Sequence, residues 1–493
     1  MWRARLQTLP LAREGEGYAR FGNVVGITIA YIVGTTLIGM WSVKYVKDTT
    51  TFMTAKNMLG PWIIGVLLMS EFVGPGTFIG VAESAFSKGI FSGLAHISLS
   101  LAFLLYAFFM APKYNTAGEY TISGILQKRY GQGTRWIVSL VMIYALLAVN
   151  VTNFTGGSVT IATMLNLDVK TASLILASLI AAIVATGGLR GIGISNLFHI
   201  VVKYVALVAL AFTAWMLLKA NPGAAARIPA THYSIKGTGL SLPLVWALGN
   251  IGAVFSTQYV VQSISSLRDQ KEAFKASLIA SITIIPTGIF AAYAGFAARG
   301  LFPNIKGVTA VAVLMKSMTP VWAGIVSAGV IASAFVALSA CILGATALFI
   351  KDFYVPLVNP NDRQTMIATR VAAIVITFIQ LPFVWYVPAL LSTLFFSRGL
   401  RASIGVLAVF LFYLPKIGSG RGVVGGLLCT IVGTTIWYAL GNPFGIDNLY
   451  IAIAMPALGM FVDHFITKLG AKRGLSPAVV VATAPTHETH VKP

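Results

Sequence analysis

Lys203, Arg398, Arg401 and Glu71 are charged residues set well inside long apolar runs of this 493-residue chain. A charge at the centre of a bilayer costs roughly 3 kcal/mol on insertion scales, so each such residue points to a function and a partner. Lys203 lies in Phe198-His199-Ile200-Val201-Val202-Lys203-Tyr204, about 10 Å of helix rise beyond Ser195-Asn196. That depth favours a buried ammonium in contact with backbone or solute oxygens; the alternative is a stem that snorkels to the surface. Arg398 and Arg401 are three residues apart and share a helical face. Two guanidiniums on one face call for an anion, either a carboxylate of the chain such as Glu71 or Glu83, or a bound solute. The alternative is a pair standing in a water-filled vestibule. His96 and His199 are further intramembrane groups able to exchange protons near neutral pH, or to serve as packing residues.

These residues need elements that hold them in a membrane. Hydrophobic residues make up 57% of the chain and charged ones 10%, with a mean hydropathy of +0.83. Apolar runs of about 20 residues recur from end to end, which defines an all-α polytopic membrane protein. We read about thirteen spans, near 24–43, 59–83, 92–112, 135–165, 171–186, 193–218, 242–262, 274–298, 321–350, 366–386, 389–413, 423–440 and 449–467. They form one membrane domain over 24–467, after an arm at 1–23 and before a polar tail at 468–493 expected to be disordered. The net charge of +21 is spread over short loops and forms no basic face for nucleic acid. Lys44, Lys47, Lys113, Lys128, Arg129, Arg268, Lys351, Arg363 and Arg421 fall on one side if the amino terminus is outside and the carboxyl terminus cytoplasmic, in a cell's inner (plasma) membrane.

The second span carries the breaker Gly74-Pro75-Gly76 just after Glu71. Pro75 lacks an amide hydrogen, so the helix splits or kinks there and frees carbonyls that lipid does not tolerate. A similar interruption is expected at Gly249-Asn250-Ile251-Gly252 in the seventh span. Paired interruptions point to inverted repeats with a solute site at the midplane. Gly418-Ser419-Gly420-Arg421-Gly422 has no preceding strand and reads as a loop. Asn150-Val151-Thr152 and Asn153-Phe154-Thr155 match the glycosylation pattern but lie inside a span. Cys341 and Cys429 show no metal or disulfide spacing, and no nucleophile–base set argues for an enzyme.

Several segments in order resemble the sodium/solute symporter family: Asp48-Thr49-Thr50-Thr51-Phe52, Phe78-Ile79-Gly80, Gly187-Gly188-Leu189-Arg190, Gln258-Tyr259-Val260-Val261-Gln262 and Ile350-Lys351-Asp352-Phe353-Tyr354. The resemblance implies a LeuT-type core of five plus five helices over about 59–413, with one helix before it and two after. It also implies alternating access around a central site, with a small-molecule solute and the lipid bilayer as partners, no cofactor and no obligatory protein partner. Substrate-contact positions of sugar-carrying relatives fall on Thr77, His96 and Asn250, to which Arg401 and Arg398 add positive charge for a small carboxylate. The family's sodium site would use the carbonyls of Ser70 and Val73 with hydroxyls at Val336 and Ala337, and neither of those two side chains holds sodium. The polar position on the broken helix is Phe72 and the acidic one on the fifth is Asn196. Lys203 on that fifth helix is then expected to replace sodium, with Glu71 beside it in coupling and gating. The coupling ion stays open between proton and sodium, since a shifted register would offer Ser333 and Ser339 as ligands. A non-transporting solute sensor of the same fold is the reading from another class.

Overall fold

Apolar residues placed on every side of a helix, in a chain with few charges, leave backbone polar groups that only intrahelical hydrogen bonds can satisfy in lipid. The computed structural model accordingly holds helices and no strand among its described residues. Those residues are 58–386 and 390–472, with isolated positions 26, 28–31, 33, 34 and 37 of the first apolar run; side chains at 77, 163, 164, 186–195 and 470–472 are outside the description. The expected arm, most of the first span and the expected tail beyond residue 472 therefore lie outside the described residues, while 468–472, expected to be disordered, continue the last helix.

The helices are α1 (Pro61–Phe72), α2 (Pro75–Lys88), α3 (Leu94–Phe109), α4 (Ile122–Tyr130), α5 (Gln132–Leu165), α6 (Val169–Ala220), α7 (Ser241–Ser256), α8 (Gln258–Ser265), α9 (Gln270–Leu301), α10 (Pro320–Phe349), α11 (Asp362–Phe378), α12 (Leu390–Tyr413), α13 (Gly420–Ala439) and α14 (Asn448–Lys472). Nine helices among the described residues are long and apolar enough to cross a bilayer, or ten if the bent pair α7–α8 is one span. That is fewer than the thirteen expected. Part of the difference is physical: the Pro75 break leaves Pro61–Phe72 too short alone, and Val169–Ala185 is a short apolar limb of α6. The turn expected at Gly187–Arg190 is not formed: the backbone there is helical, within the 52-residue α6.

Helix α10 is 94% buried through its apolar window and stands at the centre, whereas α14 is 22% buried and stands at the lipid-facing rim. Close approach needs small residues. A Cβ at Gly329 of α10 would collide with Ala206 of α6, and one at Gly252 of α7 with Ala402 of α12. The seventh-span break expected at Gly249–Gly252 is thus a helical stretch used for tight packing. The actual break is at Thr257 (φ −59°, ψ 130°), with 47° between α7 and α8.

At the far end of α10 a π-helical turn, Ile350–Tyr354, turns Asp352 into the protein. Asp352 is fully buried; it accepts from Arg135 Nε at 2.6 Å and from the Ser123 and Ser139 hydroxyls. Gln258 clamps the same end, with Oε1 accepting from Ile122 N and Nε2 donating to Tyr120 O, each at 3.0 Å.

Candidate functional site: two broken helices and three buried cations

The first broken helix is made locally. Val73 leaves the helical region (φ −98°, ψ 61°), Gly74 is extended, and Pro75 opens α2 as its first residue. The Glu71 carbonyl has no amide four residues on, because that residue is Pro75. The buried start of α2 is met by α5: Gly76 N donates to Asn153 Oδ1 at 3.3 Å. The glycines are there for room. A Cβ at Gly74 would collide with Asn153 Oδ1 and lie 2.7 Å from Ala337 Cβ, and one at Gly76 would lie 2.5 Å from Thr152 Oγ1.

Lys203, 2% exposed on α6, reaches this break. Its Nζ donates to Ser70 O (3.2 Å), Ser70 Oγ (3.2 Å) and Val73 O (3.1 Å). Three donors of one ammonium thus meet three oxygens, two of them carbonyls left over by the break. Ala337 of α10 lies against the same break and Val336 beside it in the chain is buried, and neither offers an oxygen from its side chain. On the same helix Ser333 Oγ turns back to Val330 O at 2.6 Å, while Ser339 Oγ is buried with no hydrogen-bond partner. One and two turns from Lys203 on the inner face of α6 stand His199 and Asn196. His199 Nδ1 pairs with the Tyr31 hydroxyl and its ring stacks on Phe335 at 6.0 Å; the Asn196 amide is buried with both polar atoms unpartnered.

The second break gathers around α12. Arg401, 1% exposed, donates from Nη1 to Thr257 Oγ1 (3.3 Å) and to the Tyr259 hydroxyl (3.4 Å), and from Nε to Ser397 O (3.4 Å). Its guanidinium also stands 5.7 Å from the centre of the Phe72 ring, so it touches both broken helices. Arg398 is equally buried, with its guanidinium 4.6 Å from the Phe395 ring centre, yet its Nε and Nη1 have no hydrogen-bond partner. Glu71 is 3% exposed and neither carboxylate oxygen has one. The ion pairs Arg135–Asp352 and Lys351–Glu119 lie elsewhere and involve none of these groups.

The remaining residues singled out in the sequence line the neighbouring interior. His96 Nδ1 pairs with Thr287 Oγ1 at 2.9 Å, leaving Nε2 unpartnered. Asn250 donates to Ala95 O (2.8 Å) and Ser98 Oγ (2.9 Å), leaving Oδ1 unpartnered. Thr77 lies on α2, but its side chain is outside the described residues. The structure therefore brings Ser70, Val73 and Lys203 together at one break and Arg401, Thr257 and Tyr259 at the other, while His96 and Asn250 sit on the α3–α7 side. Asn153 was missed as a helix cap because its Asn-X-Thr context drew attention to glycosylation; a polar Asn three residues before Gly156 in an apolar span was the available signal. Thr257 and Tyr259 carried no signal of their own beyond the motif Gln258–Gln262.

The model of the family described as "Sodium:solute symporter family" matches residues 52–433. "Uncharacterized symporter YwcA" of Bacillus subtilis (strain 168) is 22% identical over 87% of this chain and 90% of its own length. "Sodium/glucose cotransporter 4" of Danio rerio is 22% identical over 95% of this chain and 80% of its own. Among solved structures, a Na+-coupled sialic acid symporter in a substrate-bound outward-open state superposes with a TM-score of 0.75 over 90% of this chain and 98% of that one, at 17% identity.

Proposed function

The chain belongs to the sodium:solute symporter family, and from that premise we propose that it carries a small organic carboxylate across the membrane by alternating access, with Lys203 in the place of the sodium ion. The family is one of secondary active symporters of small solutes in polytopic membrane proteins. The observation that carries the finer reading is the imbalance of buried charge. Lys203, Arg398 and Arg401 are buried, whereas the buried carboxylates among the described residues are Glu71, with no hydrogen bond joining it to any of the three, and Asp352, which is paired with Arg135; Glu83 is half-buried with one oxygen unpartnered. An interior with this excess of cations favours a bound anion, and a carboxylate fits the guanidinium fork.

The ammonium of Lys203 supplies, from the chain itself, the positive charge that a sodium ion would bring to Ser70 O and Val73 O. A tethered charge cannot leave with the solute, so coupling falls to a proton or is dispensed with. Glu71, at the end of α1, is the carboxyl group placed to take part in that step. The arrangement of basic loops supports an amino terminus outside and a cytoplasmic carboxyl terminus in the inner (plasma) membrane. The rival within the family is ordinary sodium coupling through Ser333 and Ser339, favoured by the unpartnered hydroxyl of Ser339.

The test is uptake of labelled acetate, lactate and benzoate into proteoliposomes with pH and sodium gradients imposed separately. Uptake without sodium, lost in Lys203→Ala, is expected. A strict requirement for a sodium gradient, or Lys203→Ala retaining coupling, overturns the reading; uptake of neutral or cationic solutes alone overturns its carboxylate half.

A further inference from the structure

The fold builds its core from two five-helix repeats of opposite topology. In the first repeat the broken helix is α1–α2 and the fifth helix is the Asn196–Ala220 limb of α6; in the second they are α7–α8 and α12. Each fifth helix sends one buried cation to the break of its own repeat. Lys203 donates to the carbonyls of Ser70 and Val73, and Arg401 donates to the side-chain oxygens of Thr257, at the break, and Tyr259, just after it. The second contact is reinforced through the backbone, because Ser256 Oγ donates to Arg401 O at 2.6 Å. The Gly252–Ala402 approach leaves room for nothing larger between α7 and α12.

We infer that Arg401 is the second repeat's counterpart of Lys203, a positioning residue that holds the second break, and that the solute carboxylate is bound by Arg398. The two arginines differ in what they have left to give. Arg401 already uses Nε and Nη1 on protein oxygens. Arg398, backed by the Phe395 ring and 1% exposed, has Nε and Nη1 uncommitted. A buried guanidinium without an acceptor lowers stability and is retained where a ligand supplies one. The Arg398 half rests on the carboxylate reading above; the Arg401 half stands on the geometry of the break.

Thermal unfolding of the purified full chain without solute separates the two roles. Arg401→Gln lowers Tm by several degrees, Tyr259→Phe lowers it less, and the double variant falls short of the sum because one contact is lost twice. Arg398→Gln leaves Tm unchanged or raises it. In lactate uptake Arg398→Gln raises KM about thirtyfold, with partial recovery in Arg398→Lys, whereas Arg401→Gln keeps KM within about threefold and loses maximal rate. The inference is overturned if Arg398→Gln lowers Tm as much as Arg401→Gln, or if Arg401→Gln raises KM as much as Arg398→Gln. Should the wild type take none of acetate, lactate and benzoate, the carboxylate reading fails and takes the Arg398 half with it, while the order of Tm values still decides the Arg401 half.

Discussion

The two broken helices reach the same shape by different chemistry. At the first, Pro75 removes a donor and the flanking glycines let α5 and α10 close on the gap, so the break is written into the chain and then filled by Lys203. At the second there is no proline: Thr257 leaves the helix while its hydroxyl bonds back to Ala253 O at 2.5 Å, and Arg401 holds that hydroxyl from α12. A break of the first kind persists wherever the segment is placed. One of the second kind depends on its neighbours, which makes it the softer of the two and the one whose hold can be changed by rearranging α12.

That contrast is open to direct attack. The largest effect is expected from Lys203→Met, which leaves two carbonyls and a hydroxyl buried without their shared donor, at about 3 kcal/mol. Transport should be abolished in proteoliposomes, and the unfolding midpoint should fall. A variant that keeps both would show the first break to be self-sufficient. Gly74→Ala comes next, because the added methyl meets Asn153 Oδ1 and Ala337 Cβ inside contact distance; overpacking of this kind costs about 1–3 kcal/mol. Thermal unfolding checks it, and pairing it with Asn153→Ala should recover part of the loss. Thr257→Val is expected to cost less, about 1 kcal/mol, since it removes a hydroxyl held by Arg401 and keeps the shape. If it costs more than Gly74→Ala, the second break is the stiffer one.

The smallest effect lies outside both breaks. Asp168 caps the start of α6, where hydrogen bonds from Thr171, including Thr171 N at 2.9 Å, hold its carboxyl below the usual carboxylate range. A depressed folded value means that the cap's contribution is present above the unfolded value of about 3.9 and fades as pH falls through the folded one. Asp168→Asn should therefore flatten the acid limb of the Tm profile slightly and leave neutral pH unchanged.

Much of the candidate site was legible because a bilayer penalises charge so heavily. Lys203, Arg398, Arg401 and Glu71 stand out from an apolar background without any knowledge of the fold, and Pro75 announces its own break. Glycines were harder to read. Gly249 and Gly252 looked like a second interruption, yet their lack of a side chain serves the approach of α12, and glycine alone does not distinguish a bend from a close contact. Thr257, with ordinary helical neighbours, gave no sign, because a threonine's choice between continuing and ending a helix is settled by the partners of its hydroxyl.

By itself the sequence determined a helical membrane protein, the place of the first break and the identity of the buried charges, since hydropathy, proline chemistry and the cost of charge in lipid act locally. Only the tertiary structure decided which oxygens each cation meets. Lys203 and Ser70 are 133 residues apart, and Arg401 and Thr257 144; what joins them is the packing of α6 and α12 against the two broken helices. The same packing gave Arg401 its partners and left Arg398, one turn away on the same face, with nitrogens to offer, a difference that two identical side chains three residues apart cannot express in sequence.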